Sequence, residues 1–234
     1  MKKNTRESLL EVSKTLRLKW YRIPISHNNL KELSQRNNFR GSIQSLGHLG
    51  CWGVTGLLSF YFFYQQLWIL FLVFLFIHGT IGSHFTHANH ELCHNTVFRT
   101  KSLNLFFLRI FSLLGWFNFH IYKMSHTYHH RYTLFEEADR EDNNRTEPSL
   151  SFFYLFQLFT INFTGGPYSD GPKTILRQFF KISLNQNNIS EWVEDIYKRQ
   201  TEERMKATNW ARFVLIFHGV FIMLSIGIGE PILA

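Results

Sequence analysis

The chain has 234 residues, 25 Lys and Arg against 17 Asp and Glu, a net charge of +8 and two cysteines. Two cysteines exclude a disulfide framework. The basic residues are scattered beside long apolar blocks, which argues against a nucleic-acid partner and for a membrane surface carrying anionic lipid.

The first 40 residues are polar and basic, with no apolar stretch behind a charged start, so no signal peptide is expected and the first span does the targeting. Leu9, Leu10, Leu16 and Trp20 recur among Lys and Arg, which predicts a surface helix over 5–20, ending before Pro24. Residues 45–64 and 67–86 each approach the roughly 20 apolar residues needed to cross a bilayer core of about 30 Å. Neither contains Lys, Arg, Asp or Glu. They read as a two-span hairpin turning at Gln65-Gln66. A third span is predicted over 210–228, with Arg212 near its end able to snorkel to the headgroups.

Between the hairpin and the third span, residues 102–122 form an apolar run interrupted by Asn104, Arg109, Asn118 and His120. If it crossed, the histidines on either side of it would face opposite sides of the bilayer. It is therefore read as lying in the interface, or dipping in and returning. Residues 149–163 are read as a second interfacial stretch, ending at Gly165-Gly166-Pro167. Residues 190–207 read as a surface helix with Ser190 as N-cap and Glu191, Glu194 and Asp195 in its first turn, feeding the third span. All Lys and Arg lie up to Arg40 or between Arg99 and Arg212. This predicts a cytoplasmic N-terminus and a cytoplasmic central segment. The fold class is all-α, an integral membrane protein with about three transmembrane helices plus interfacial amphipathic helices. Residues 1–44 form a cytoplasmic N-terminal region and 45–234 the membrane domain.

Eight of the twelve histidines fall between His84 and His130. Five form two tight groups, His90-Glu91-Leu92-Cys93-His94 and His126-Thr127-Tyr128-His129-His130. Residues three and four apart share a helix face, so each group can aim its imidazoles at one point. The first group fits His-Glu-x-x-His, the helical zinc site of metalloproteases, in which Glu91 would activate water. That reading leaves His126, His129 and His130 unexplained, and five imidazoles point to two metal ions. Imidazole suits iron, copper, zinc and nickel alike. Cys93 is expected to pack and stay reduced. His87 shares the face of His90 and His94 and is a candidate contact for metal or substrate, and His84 a weaker one. His120 is a candidate to orient a ligand. Glu91 is either a partner of the first group or a surface charge. His78 and His218, inside spans, are read as neutral packing groups.

HELCH followed by HTYHH behind a two-span hairpin resembles the membrane fatty acid desaturase superfamily, whose first two histidine boxes are HxxxH and HxxHH. The resemblance covers about residues 45–230 and includes Arg131-Tyr132-Thr133 followed by Glu136, Glu137, Asp139 and Asp142. It implies that His90, His94, His126, His129 and His130 are iron ligands of a di-iron centre, with no catalytic side chain beyond the ligands. It further implies dioxygen as co-substrate and a lipid or acyl-thioester substrate that loses two hydrogens. Electrons would come from a cytochrome b5-like or ferredoxin-like donor protein. The same scaffold carries hydroxylases and ketolases acting on alkane, sterol or carotenoid, which is the alternative. A membrane zinc protease or an inactive fragment is the second alternative. Superfamily members have four spans and a third HxxHH box. No histidine follows His218 here, so a fragment or truncated product lacking the remaining ligands is expected.

Overall fold

The computed structural model describes residues 9–21, 23–133, 135, 138–139, 171–186 and 201–230. Among these residues every regular element is helical. They divide into two compact units, one of residues 22–119 with 217–234, the other of residues 1–21 with 120–216.

The first of these units opens with α1 (His27–Leu33), whose N-cap Ser26 accepts from the Asn29 amide. Next comes α2 (Asn38–Tyr64), where the Asn37 side chain accepts from the amides of Phe39 and Arg40. These caps satisfy donors that a helix start leaves open. α2 runs seven residues further toward the N-terminus than the predicted span, because the polar cap and not the apolar composition sets its start. The predicted turn forms at Gln65-Gln66, with Gln66 in the left-handed region at φ 55°. α3 (Trp68–Ser83) returns and, through His84, continues into α4 (Phe85–Cys93). Together they form a 26-residue apolar stretch, Trp68–Cys93, long enough to cross a membrane.

Two histidines clamp the hairpin. His48 Nε2 donates to the Ile81 carbonyl at 2.9 Å, and His78 Nδ1 donates to the Trp52 carbonyl at 2.9 Å while its ring stacks on Trp52. In an apolar surrounding a polar ring must find such partners. Gly56 makes room for His78, whose Cε1 would lie 2.9 Å from an added Cβ. His218 donates from Nε2 to the Leu113 carbonyl and stacks on Trp116. Both span histidines thus pack through a ring stack and a hydrogen bond to a backbone carbonyl.

α5 (Lys101–Leu114) buries Asn104, Phe107, Leu108, Phe111 and Ser112, the i, i+3, i+4, i+7, i+8 face of an amphipathic helix. At about 1.5 Å per residue it is about 21 Å long, short of a bilayer core. The run predicted over 102–122 is not one element. It breaks at residues 115–118, with Trp116 at φ 50°, before a new helix starts at Phe119. Among the described residues three helical stretches are long and apolar enough to span, and the pair broken at 115–118 qualifies only if its two halves are counted as one.

Asn104 reads in sequence as an interruption; in the structure it is a bracket. Its Nδ2 donates to the Phe98 carbonyl at 2.8 Å and its Oδ1 accepts from the Phe98 amide, with both residues buried. This closes the loop that follows α4. Asn104→Ala leaves two buried backbone groups without partners, each costing about 1–3 kcal/mol. The variant should unfold several degrees lower in detergent by thermal denaturation. An unchanged midpoint would rule the bracket out.

In the other unit the helix predicted over 5–20 ends earlier, at Thr15, while residues 5–8 lie outside the described residues. α6 (Leu9–Thr15) ends where the Thr15 hydroxyl donates to the Glu11 and Val12 carbonyls. The chain then turns so that the Trp20 indole donates to the Arg131 carbonyl and its ring meets Phe135 edge-on. That tertiary bond outweighs the helical periodicity. α7 (Phe119–Tyr132) packs Tyr132 with Val12 and Ala138. α8 (Pro172–Ser183), which was not predicted, starts with proline in its first turn. α9 (Thr201–Gly227) joins the end of the predicted 190–207 helix to the third span in one continuous rod. Residues 190–200 and the predicted interfacial stretch 149–163 lie outside the described residues.

Candidate metal centre

The first histidine group sits on the last turn of α4. His94 is its C-cap, and Asn95 at φ 56° turns the chain away behind it. One turn separates His90 from His94, and their Nε2 atoms lie 3.4 Å apart with the rings at 82°. The helix is fixed from behind. Phe85, Leu92 and Cys93 are buried, and the Ser112 hydroxyl of α5 donates to Asn89 Oδ1 at 3.0 Å. Cys93 is in the core, in no disulfide.

The second group repeats this arrangement on the last turns of α7. His126 and His130 hold their Nε2 atoms 2.9 Å apart with the rings at 79°. His126 is buried and stacked on Tyr122 one turn back. Two nitrogens bound to one ion at about 2.0–2.1 Å, with an angle of 90–110°, stand about 2.9–3.4 Å apart. Both pairs meet that requirement, so the donor set fits a metal. His90, His94, His126 and His130 each offer a ring nitrogen as a ligand.

Each group also has a carboxylate behind it. Glu91 Oε1 accepts from His90 Nδ1 at 2.8 Å, and the Thr96 hydroxyl donates back to Glu91. In the second group the Asp139 carboxylate accepts from His129 Nδ1, at 3.0 and 3.1 Å. Asp139 is 2 % exposed. A carboxylate on Nδ1–H fixes the tautomer, leaves the Nε2 lone pair free and makes the ring a better donor. His129 is not one of the four imidazoles above, yet it is held ready in the same way. Its partner was signalled in sequence only by the acidic run that contains it.

Glu91 partners His90 from behind while its own side chain stays exposed. A zinc protease would need that carboxylate to face water on the metal. Glu91→Gln should weaken metal binding by less than about tenfold, the lower end for such partners, since Glu91 is exposed. Titrating the apoprotein with ferrous iron checks this.

His87 and His120 fall outside the four. His87 is exposed and stacks on His84, at 5.3 Å between ring centroids. His120 Nδ1 stands 4.0 Å from Glu203. Within the unit of residues 22–119, a cavity of about 630 Å³ beside α4 is lined by His48, Cys51, Ile81, His84, His87 and Leu92 among others. Its volume is that of an ordinary small-molecule site.

A family model described as fatty acid desaturase matches residues 66–233. No curated protein and no solved structure matches the chain.

Proposed function

Because the chain belongs to the fatty acid desaturase family, we propose that it uses dioxygen to introduce a double bond into a lipid acyl chain at a histidine-held di-iron centre. The observation that carries the reading is the repeated pair. His90 with His94, and His126 with His130, each set two Nε2 atoms at the spacing of neighbouring ligands on one ion. In this proposal all four histidines bind iron, and His129, braced by Asp139, is the fifth ligand. When bound, the irons would supply the oxidising power to attack an unactivated C–H bond.

The protein's own part is to hold and orient. The two carboxylates fix the rotation and tautomer of the His90 and His129 rings, and the apolar wall beside α4 keeps water from an acyl chain. An electron-donor protein, cytochrome b5-like or ferredoxin-like, completes the reaction. The charge distribution supports a cytoplasmic N-terminus and cytoplasmic histidine boxes, with residues 1–44 preceding a membrane domain of 45–234.

Iron analysis of the purified protein, followed by mass spectrometry of lipids from cells expressing it, tests the reading. Stoichiometric iron and products lacking two hydrogens support it. Products gaining one oxygen atom would make it a hydroxylase. Zinc without iron, with peptidase activity that survives His129→Ala, would overturn the family chemistry altogether.

A further inference from the structure

α8 has three longitudinal faces. Phe179 and Ile182 are buried. Beside them Leu176, Phe180 and Leu184, each four residues on from the last, are 40 %, 56 % and 66 % exposed. Lys173 and Arg177, also four apart and both exposed, run alongside this strip, and Lys181 continues their line. Residues four apart stack on one face. The helix thus presents an apolar strip edged by cations, a pattern suited to lying in the plane of a membrane interface.

Its end is tied to a span. Arg212 Nε donates to the Ser183 carbonyl at 2.9 Å, while Arg204 donates to the Asn185 side chain and carbonyl at 2.6 and 2.8 Å. Arg212 is the last charged residue of α9, and beyond it Phe213, Ile216, Met223 and Leu224 are exposed apolar side chains. It therefore marks the level at which the span leaves the headgroups for hydrocarbon. Ser183 and Leu184 are held at that level. A water-soluble partner would need the strip to stand clear of the bilayer, and these bonds keep its end within it.

We propose that α8 is an in-plane anchor, its Leu176–Phe180–Leu184 strip inserted in the leaflet through which α9 enters, with Lys173 and Arg177 holding anionic phospholipid headgroups. The basic edge matches a negative surface, on which each Lys or Arg adds attraction. The inference uses the span and α8 alone, so it stands or falls separately from the metal site.

The test uses the full chain in nanodiscs, with an environment-sensitive fluorescent amino acid replacing Phe180 and, in a control, Phe221 within the span. Brominated lipids should quench most of the emission at position 180, aqueous iodide little. Quenching by lipid should rise when phosphatidylglycerol is added to phosphatidylcholine. Lys173→Glu with Arg177→Glu should abolish that rise while the label at 221 stays lipid-quenched, which shows that the variant is inserted. Iodide quenching at 180 would overturn the proposal. So would lipid quenching indifferent to phosphatidylglycerol, or energy transfer between labelled copies in place of lipid quenching, which would assign the strip to a second copy of the chain.

Discussion

Alanine at His126 should abolish stoichiometric iron binding and reduce desaturated product below detection, while the protein still inserts and purifies. Apparent metal-binding energies of about 10–16 kcal/mol for four-ligand sites amount to roughly 3 kcal/mol per ligand. At 1.4 kcal/mol per tenfold, losing one ligand then weakens binding by more than about a hundredfold. His126 is the most demanding case because it is buried and stacked on Tyr122, so its removal also leaves a hole. His126→Gln fills most of that hole and separates the two effects: iron should still be lost, but the thermal midpoint should recover. His87→Ala, on the same face of α4 as the first pair, should retain iron, since His87 stacks on His84 and not on a ligand. Full iron in His126→Ala would remove the second group from the ligand set.

The spans and the two histidine groups were legible because each is a local pattern, an unbroken apolar length in one case and helical spacing in the other. Twenty apolar residues without a charge have few alternatives in water, and imidazoles four apart on a helix must share a face. The parts that escaped depend on bonds between segments. Asn104 looked like a flaw in an apolar run because its two bonds go to the backbone of Phe98, six residues away in a loop, and no periodicity encodes that. The break at residues 115–118 follows from Trp116 at φ 50°, an uncommon conformation for a residue other than glycine. α8 carried signals that could have been read, proline in the first turn and Lys173, Arg177 and Lys181 four apart. Asp139 is one of five acidic residues between Glu136 and Asp142, and its selection depended on the path of the chain after Tyr132.

That selection makes Asp139 the sharpest probe of how the site is held. Asp139→Asn should weaken iron binding about 10–100-fold while leaving the apoprotein close to wild-type stability. An asparagine oxygen can still accept from His129 Nδ1, so the ring keeps its place, but the charge that strengthens the Nε2 donor is gone. Stability is spared because a buried carboxylate costs desolvation that the asparagine avoids. Asp139→Ala should do worse on both counts, since it leaves the Nδ1–H unpaired beside a void. The comparison with Glu91 isolates the electrostatic part. The two carboxylates make the same bond to a histidine Nδ1, at 2.8 Å for Glu91 and 3.0 Å for Asp139. Asp139 acts from the interior, where charge is little screened, and Glu91 acts from the surface, where water and salt weaken it. The loss of affinity should therefore be larger for Asp139→Asn than for Glu91→Gln, and the Glu91 effect alone should shrink as salt is added. Equal losses, both insensitive to salt, would mean that the carboxylates only hold the rings in position and that their charge contributes nothing to the metal.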